Sequence, residues 1–256
     1  EIRLSLVGSE MCIRDRCIFV KFVVEQLATW IQPEQRQIES DHWYDNSPIT
    51  LDWVAPMQRR RMTRFSKMVL HSAQQVSSAD QYTNLSAVFS SRHGDFHKTA
   101  NLLVDIVNQQ PLSPTGFGLS VHNAAAGLFS IIKSNTCAMN AIAAGAESFM
   151  CAIVEAYIRL VDSNEPYMLV VHSDEILPDI YNQFADELQI THSIAMIVRL
   201  AQANEPCFSL NKVLNPAAKS SNLPMSLQGA KALHDKKSAI LTHTTLAHHW
   251  QLTYHD

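Results

Sequence analysis

The sequence predicts an α/β fold in which one mixed, mostly parallel sheet carries helices on both faces. Short apolar runs typical of buried strands, such as Tyr167 to Val171, alternate with longer helical stretches, such as Phe96 to Val107. This alternation is typical of strand–helix–strand units, whose strands lie parallel within one sheet. The composition, 46% apolar and 17% charged residues over 256 positions, is that of a packed globular protein.

The first 16 residues, EIRLSLVGSEMCIRDR, are set apart from this fold. Glu10, Arg14 and Asp15 interrupt any apolar core of a signal peptide, and the segment resembles translated sequencing-adapter read-through. We therefore expect a non-native segment over residues 1–16 and a single domain over residues 17–256.

The first half of the domain begins with an apolar stretch rich in Val, Phe and Ile. Ile18 to Gln26 predicts a strand, followed by a short helical turn to Trp30. Gln32 to Pro56 is polar and interrupted by prolines, so it predicts a surface loop onto which Trp43, Tyr44 and Trp53 fold back. The next elements are predicted as a helix (Met57 to Ser77), a strand (Leu85 to Ser90) and a helix (Phe96 to Val107).

The centre of the chain has the pattern of a strand that delivers a residue to the start of a helix. A glycine-containing loop, Ser113 to Asn123, precedes a small-residue helix, Ala124 to Ile132. The apolar run Ala138 to Ala144 then turns at Gly145 into a long apolar helix, Glu147 to Leu160. Free N–H groups at such a helix start stabilise negative charge, which is why nucleophilic enzymes use this geometry.

The last third of the chain predicts further strands and one helix. The strands are expected at Tyr167 to Val171, Ile190 to Ala201, Cys207 to Val213 and, as an edge strand, Trp250 to Tyr254, and the helix at Met225 to His234. Ile176 to Leu188 reads as a loop with a helical turn, and Leu214 to Pro224 as a polar linker. We expect the closing strands to add an antiparallel edge to the sheet.

The central motif resembles the N-terminal half of the β-ketoacyl synthases, within the thiolase-like superfamily. Ser113-Pro114, Asn123 and Gly127 match the family spacing without a gap. The resemblance then puts the nucleophilic cysteine at Ala146, where this chain has no cysteine. SVHNAAAG followed by AAG-x-ESF is similar to the short chain length factor subunits found beside aryl polyene synthases.

This resemblance implies one thiolase-like half that acts without its own catalytic residues. It implies a subunit that pairs with a Cys-bearing ketosynthase and shapes its acyl tunnel in type II fatty acid or polyketide (aryl polyene) synthesis, with acyl carrier protein as a further partner. The implied tunnel and interface residues are Thr115, Gly116, Phe117, Leu119, His122 and Asn123. A weaker carrier-protein contact is implied for Arg59, Arg60 and Arg61, whose other interpretation is a solvated helix face.

Two other functions remain open from the sequence. One is an independent acyltransferase or condensing enzyme that uses Cys137, Cys151 or Ser148 as its nucleophile. The other is a degraded gene fragment. Glu147 argues against a condensing enzyme, because a carboxylate at the start of the helix disfavours a thiolate or an oxyanion there; its simplest role is to cap the helix.

Several functional classes are disfavoured. The net charge of −4 gives no reason to expect nucleic acid, and no apolar run is long enough to span a bilayer. Five scattered cysteines suit a reducing cytoplasm. We expect no cofactor and no metal site: His93 and His97 have ligand spacing, but Gly94 separates them. His122 is expected to be a hydrogen-bonded structural residue, and the pair His248-His249 a surface feature.

Overall fold

The computed structural model describes residues 20–33, 42–82, 84–163, 165–214 and 220–256. Within these ranges eight strands form one sheet. They are β1 (Val20–Ile31), β2 (Ala87–Ser90), β3 (Met139–Ile142), β4 (Met168–Asp174), β5 (His192–Leu200), β6 (Cys207–Val213), β7 (Ala239–Leu241) and β8 (His249–His255). The predicted segment 1–16 lies outside the described residues.

Seven α-helices accompany the sheet in the described ranges. They are α1 (Pro56–Arg61), α2 (Arg64–Val76), α3 (Phe96–Val107), α4 (Pro114–Ser120), α5 (Ala124–Lys133), α6 (Ser148–Asp162) and α7 (Met225–Asp235). Two 3₁₀ helices cover Asp80–Tyr82 and Asp179–Phe184, the second inside the segment predicted to contain a helical turn.

The sheet is mixed, with the order β3-β2-β4-β5-β1-β6-β8-β7. The predicted α/β class and the helices on both faces are confirmed, but the expectation of a mostly parallel sheet is wrong. Only β2 pairs in parallel, with β3 and β4; the other neighbours among the described strands run antiparallel. Parallel neighbours need a crossover connection, and the link from β4 to β5 contains no α-helix.

Each face of the sheet has its own hydrophobic core. On one face α6 and α7 pack over the sheet, with Phe149 and Leu227 among the fully buried side chains. On the other face α2 and α5 do so, with Leu70 and Phe129. Alternate residues of β4 and β5 therefore enter opposite cores, and both strands read as continuous apolar runs in the sequence.

Three element predictions need correction. β1 continues as a strand through Ile31, because β5 pairs with it along nearly its whole length, so no helical turn forms before Trp30. The predicted helix over Met57 to Ser77 is two helices, since Thr63 caps α2 by accepting a hydrogen bond from the Ser66 amide. β8 is not an edge strand, because the unpredicted β7 pairs with it on the outside.

The segment Ser113 to Asn123 is also not simply a loop. Pro114 to Ser120 forms α4, and the Ser113 hydroxyl caps it by accepting from the Gly116 amide. A serine followed by proline is a signal for the start of a helix, which outweighs the glycines here. The loop around Trp43, Tyr44 and Trp53 does fold back onto the domain, with Trp43 fully buried.

Within the described ranges, no single helix has the length and hydropathy needed to cross a membrane. α4 and α5 meet these two requirements only when they are counted as one segment, and the angle between them is 101°.

Candidate functional site

The predicted elbow between strand and helix is present at residues 144–148. Gly145 adopts a left-handed backbone conformation with φ +58°, and a bridge joins Ala144 to Ala146 across it. The Ser148 hydroxyl donates to the Gly145 carbonyl (2.7 Å) and accepts from the Ala144 amide (2.9 Å). The turn is therefore held by its own hydrogen bonds, and Ala146 occupies it without a reactive group.

Glu147 does not cap the helix, contrary to the expectation from its position. It is the N-cap residue of α6, but its side chain makes no capping hydrogen bond. Its Oε1 atom instead accepts from His248 Nε2 at 2.8 Å and Trp250 Nε1 at 2.8 Å, and lies 3.0 Å from Lys212 Nζ. These three donors come from β6, from β8 and from the residue before β8, which pass the start of α6 and compete with the backbone for the carboxylate.

The Glu147 carboxylate stays ionised in this environment. Burial alone would raise its pKa, but hydrogen bonds from His248, Lys212 and Trp250 outweigh burial and lower it. The negative charge lies one residue after Ala146. It is the wrong sign for a site that must stabilise an oxyanion.

The pair His248-His249 is not a surface feature, and sequence reasoning missed its role. The His248 side chain is only 15% exposed where it meets Glu147, and His249 is buried. The alternation around β8 predicts a strand, but nothing local indicates a partner 101 residues earlier in the chain.

None of the three alternative nucleophiles is well placed for catalysis. The Ser148 hydroxyl is buried and used by the elbow itself. Burial, and next the charge of Glu147, raise the pKa of the Cys151 thiol, which lies inside α6. Cys137 is half-buried, and its Sγ lies 3.4 Å from the carbonyl oxygen of Asn84. The environment of Cys151 is the opposite of the one that a nucleophilic thiol needs, because it disfavours the thiolate.

The predicted tunnel residues separate into exposed and inward-facing positions on α4. Phe117 is 61% exposed, and Thr115 is exposed as well. Leu119 is half-buried and lines an apolar cavity together with Thr115. Gly116 faces inward: a Cβ atom there would lie 3.3 Å from Lys98 Nζ. The Ser113 cap turns Gly116 toward α3, and the contact of Gly116 with a partner stays a prediction.

His122 and Asn123 link α4 to α5. His122 Nε2 lies 3.1 Å from the Ser91 carbonyl oxygen, which can only accept, so Nε2 carries the proton. This contact agrees with a structural role for His122. Asn123 is the exposed N-cap residue of α5 and makes no side-chain cap.

The three arginines lie on α1. Arg59 donates to Asp52 at 3.1 Å and lines a cavity with Arg60 and Lys67. Arg60 and Arg61 are exposed. Arg61 also lines the apolar cavity that Leu119 and Thr115 border, so α1 connects the basic surface to that cavity.

An exposed apolar surface covers α3, α4 and α5. Its members are Leu103, Val104, Ile106, Val107, Leu112, Phe117, Val121 and Ile131. At the neighbouring end of the sheet β3 is an edge strand, and all four of its residues are half-buried. Exposed apolar side chains on neighbouring helices beside an edge strand are typical of an interface.

His93 and His97 do not form a metal site. The His93 ring stacks on Phe96, and His97 Nε2 lies 2.9 Å from the Ile176 carbonyl oxygen. In the part of the chain that the structure describes, a different group of ligand-type side chains comes together, namely His172, Asp174 and His192. Sequence reasoning missed it because two adjacent strands contribute to it.

Solved structures show that this fold has close counterparts. A structure titled as a ketosynthase (ApeO) in complex with its chain length factor (ApeC) from Xenorhabdus doucetiae matches with a TM-score of 0.73 at 19% identity, over 91% of this chain and 99% of that chain. A type II polyketide ketosynthase in complex with its acyl-carrier protein (AntDE:AntF) matches with a TM-score of 0.64 at 10% identity, over 92% and 99%.

A third similar structure is the ishigamide ketosynthase/chain length factor, with a TM-score of 0.53 at 16% identity, over 62% of this chain and 51% of that chain. At these identities the likeness concerns the fold. A search of curated protein sequences found no match.

A sequence-family model described as "Beta-ketoacyl synthase, N-terminal domain" matches residues 30–256, which include every strand from β2 to β8 and all seven helices. This match agrees with the fold of the similar solved structures. The chain belongs to the β-ketoacyl synthase N-terminal domain family.

Proposed function

We propose that this chain is a non-catalytic, chain length factor-type subunit. It pairs with a Cys-bearing β-ketoacyl-ACP synthase and shapes the acyl tunnel of that partner. The pathway is type II fatty acid or polyketide synthesis of the aryl polyene type, in the cytoplasm. Residues 17–256 act as one domain in this role, and residues 1–16 take no part in it.

The observation that carries this proposal is an elbow with intact geometry and no nucleophile. Gly145 turns as the elbow requires, but the following positions are Ala146 and an ionised Glu147. Condensation of acyl thioesters needs an activated cysteine and an oxyanion site. A retained fold with this substitution suits a partner subunit better than an enzyme.

The apolar surface of α3, α4 and α5 supports a partner of similar fold. Val107 is 81% exposed and Ile131 is 69% exposed, values unusual for large apolar side chains in a stable monomer. The edge strand β3 offers unpaired backbone groups beside this surface. An interface that covers both features would bury more than ~2,000 Å² in total, as permanent complexes do.

The tip of α4, which contains Thr115 and Phe117, is the part of this surface proposed to meet the partner's tunnel. Phe117 projects from a helix turn with Gly116 and Gly118 on either side, and nothing lies within 4 Å of a Cβ built at Gly118. An aromatic side chain in open space gains little from its own subunit. It gains more by closing an apolar tunnel in another.

The basic side of α1 is proposed to contact acyl carrier protein. Arg60 and Arg61 are exposed, and Arg59 lies beside Lys67 around one cavity. Carrier proteins are acidic, so clustered guanidinium groups would attract them and speed association. Asp52 partly neutralises Arg59, so Arg60 and Arg61 are the stronger candidates.

The test is co-expression of this chain with the ketosynthase encoded beside its gene. We expect the two proteins to co-purify as a heterodimer, and we expect carbon–carbon condensation only when both are present. Condensation by this chain alone, lost in Cys137→Ala or Cys151→Ala, would instead establish an independent enzyme. A monodisperse monomer with no affinity for the ketosynthase would contradict the pairing.

A further inference from the structure

A row of buried polar side chains crosses the sheet at the ends of β2, β4 and β5. Asp174 pairs with His192 across the antiparallel strands β4 and β5, and Ser90 pairs with His172 across the parallel strands β2 and β4. Directly paired residues point to the same face, and so do residues two apart on one strand. The row therefore lies on one face, where Ser226 in the first turn of α7 covers it.

Hydrogen bonds fix the proton of His192 on one nitrogen. Its Nδ1 atom lies 2.8 Å from the Ile190 carbonyl oxygen, which can only accept, so Nδ1 carries the proton. Its Nε2 atom therefore has a free lone pair, which takes a hydrogen bond from Ser226 Oγ at 2.7 Å. In metal-binding histidines, one ring nitrogen commonly donates its proton to a backbone carbonyl, and the lone pair of the other nitrogen binds the metal.

His172 and Asp174 are in a similar arrangement. His172 Nδ1 lies 3.0 Å from Ser90 Oγ, and its Nε2 lies 3.0 Å from Asp174 Oδ2. The other Asp174 oxygen accepts from Ser91 Oγ and from the Arg92 amide, so the carboxylate is fixed in orientation. A carboxylate oxygen this close to a ring nitrogen requires a positive centre between them, either a proton or a metal ion.

The row is shielded from water. The side chains of His172 and Asp174 are 3% and 14% exposed, and His192 is buried. Two imidazoles and a carboxylate held together out of water are ligands that a metal ion can use.

We propose that His172, Asp174 and His192 form a zinc site. One ligand atom from each lies within 4.8 Å of the other two, and two imidazoles with a carboxylate are a ligand set that Zn²⁺ accepts. Without the ion, the Ser226 hydroxyl donates to His192 Nε2, and a proton lies between His172 Nε2 and Asp174 Oδ2. Binding of zinc would displace both the hydroxyl and this proton.

The site would act on the elbow through packing and not through chemistry. The His172 and Asp174 side chains are largely buried, so substrate does not reach them. The Phe149 ring, in the first turn of α6, packs on the His172 ring with centroids 5.6 Å apart. A metal here would clamp β4 to β5 and hold the start of α6 in place beside Ala146.

The first experiment uses the full, tag-free wild-type chain. We expect about one equivalent of zinc per chain after saturation and desalting. Replacement by Co²⁺ should give the visible absorption bands of a nitrogen- and oxygen-liganded site. Chelation should lower the melting temperature, and Zn²⁺ but not Mg²⁺ should restore it, because an ion that binds the folded state stabilises it.

The second experiment compares variants. Asp174→Asn and His192→Gln should each weaken zinc binding by at least roughly 10-fold, as loss of a ligand does. The matched control is His243→Gln, which removes a buried histidine outside the ligand group and should leave zinc binding unchanged. Wild-type protein that retains no zinc and shows no Co²⁺ bands would overturn the proposal, and so would equal binding by Asp174→Asn and the wild type. The wild-type measurement decides the matter even if a variant does not fold.

Discussion

The Nε2 atom of His248 lies 2.8 Å from Oε1 of Glu147, and these residues are 101 positions apart in the chain. The contact joins the segment that leads into β8 to the start of α6, beside Ala146. It uses a carboxylate that would otherwise cap the helix, and it places a fixed negative charge at the elbow. The same oxygen holds two distant segments together, and its charge disfavours a thiolate at the elbow.

We predict that Glu147→Gln destabilises the protein near neutral pH. The change removes a charge that three donors share, and the expected loss is about 1–3 kcal/mol of unfolding free energy. Denaturant unfolding at pH 7 measures it. Asp162→Asn, at an exposed carboxylate at the other end of α6, should change stability by less than about 0.5 kcal/mol.

The pH dependence of the same variant follows from the direction of the pKa shift. The pKa of Glu147 is lower in the folded chain than its ordinary value of 4.5. Its stabilising effect is therefore fully present above the unfolded pKa and is lost as pH falls through the folded pKa. The difference in stability between wild type and Glu147→Gln should shrink below about pH 4.5. A difference that stays constant down to pH 3 would contradict this assignment.

A second prediction concerns Cys151. Because burial and the charge of Glu147 raise the pKa of its thiol, iodoacetamide should modify Cys151 more slowly than Cys137 at pH 7.5. Glu147→Gln should speed the modification of Cys151 and leave Cys137 unchanged. Peptide mass spectrometry over a time course measures both sites in one sample. Rapid labelling of Cys151 in the wild type, with loss of a condensing activity, would favour an independent enzyme.

Local patterns predicted most elements, and non-local pairing explains the failures. The helix Phe96–Val107 and the strand Cys207–Val213 have the predicted bounds, because each is a clean run between turn signals. β1 was predicted too short, since the strands that extend it lie far away in sequence. α4 is not predicted because Gly116 and Gly118 favour a loop, whereas in the structure the helix-start signal of Ser113-Pro114 outweighs them.

The elbow was predicted and its surroundings were not. Small residues around Gly145 specify the turn locally, whereas Lys212, His248 and Trp250 reach Glu147 only through the pairing of β6 with β8. The group formed by His172 and His192 is non-local for the same reason. Local patterns in one sequence do not specify which strands are neighbours when the connections lack crossover helices.

A third prediction tests the proposed interface. Ile131→Lys puts a charge on the exposed apolar surface of α5 and should weaken pairing with the ketosynthase at least roughly 10-fold, because a charge would lose its water there. The control is Ile240→Lys on β7, at the opposite end of the sheet, where the side chain is 55% exposed. Size-exclusion chromatography and titration calorimetry measure the complex. Equal affinity of both variants for the ketosynthase would show that the interface does not include Ile131.

The last prediction concerns product length and depends on the position of Phe117. Gly116 is unsuitable for the test, because a Cβ atom there would lie 3.3 Å from both Lys98 Nζ and Ser113 Cβ. Gly118 has open space around it, and Gly118→Phe should shorten the polyene made by the complex. Phe117→Ala removes an exposed ring and should lengthen the product or broaden its distribution.

One methylene of tunnel space corresponds to about 0.8 kcal/mol of apolar burial, so a single ring is large enough to select among chain lengths that differ by a few carbons. The control is Phe184→Ala, at another exposed phenylalanine, in the 3₁₀ helix Asp179–Phe184. Mass spectrometry of products from the reconstituted complex gives the distribution, and chromatography confirms that each complex is intact. If both α4 variants give the wild-type distribution in intact complexes, the length of the product is set by residues outside α4, and the tip only fills the interface.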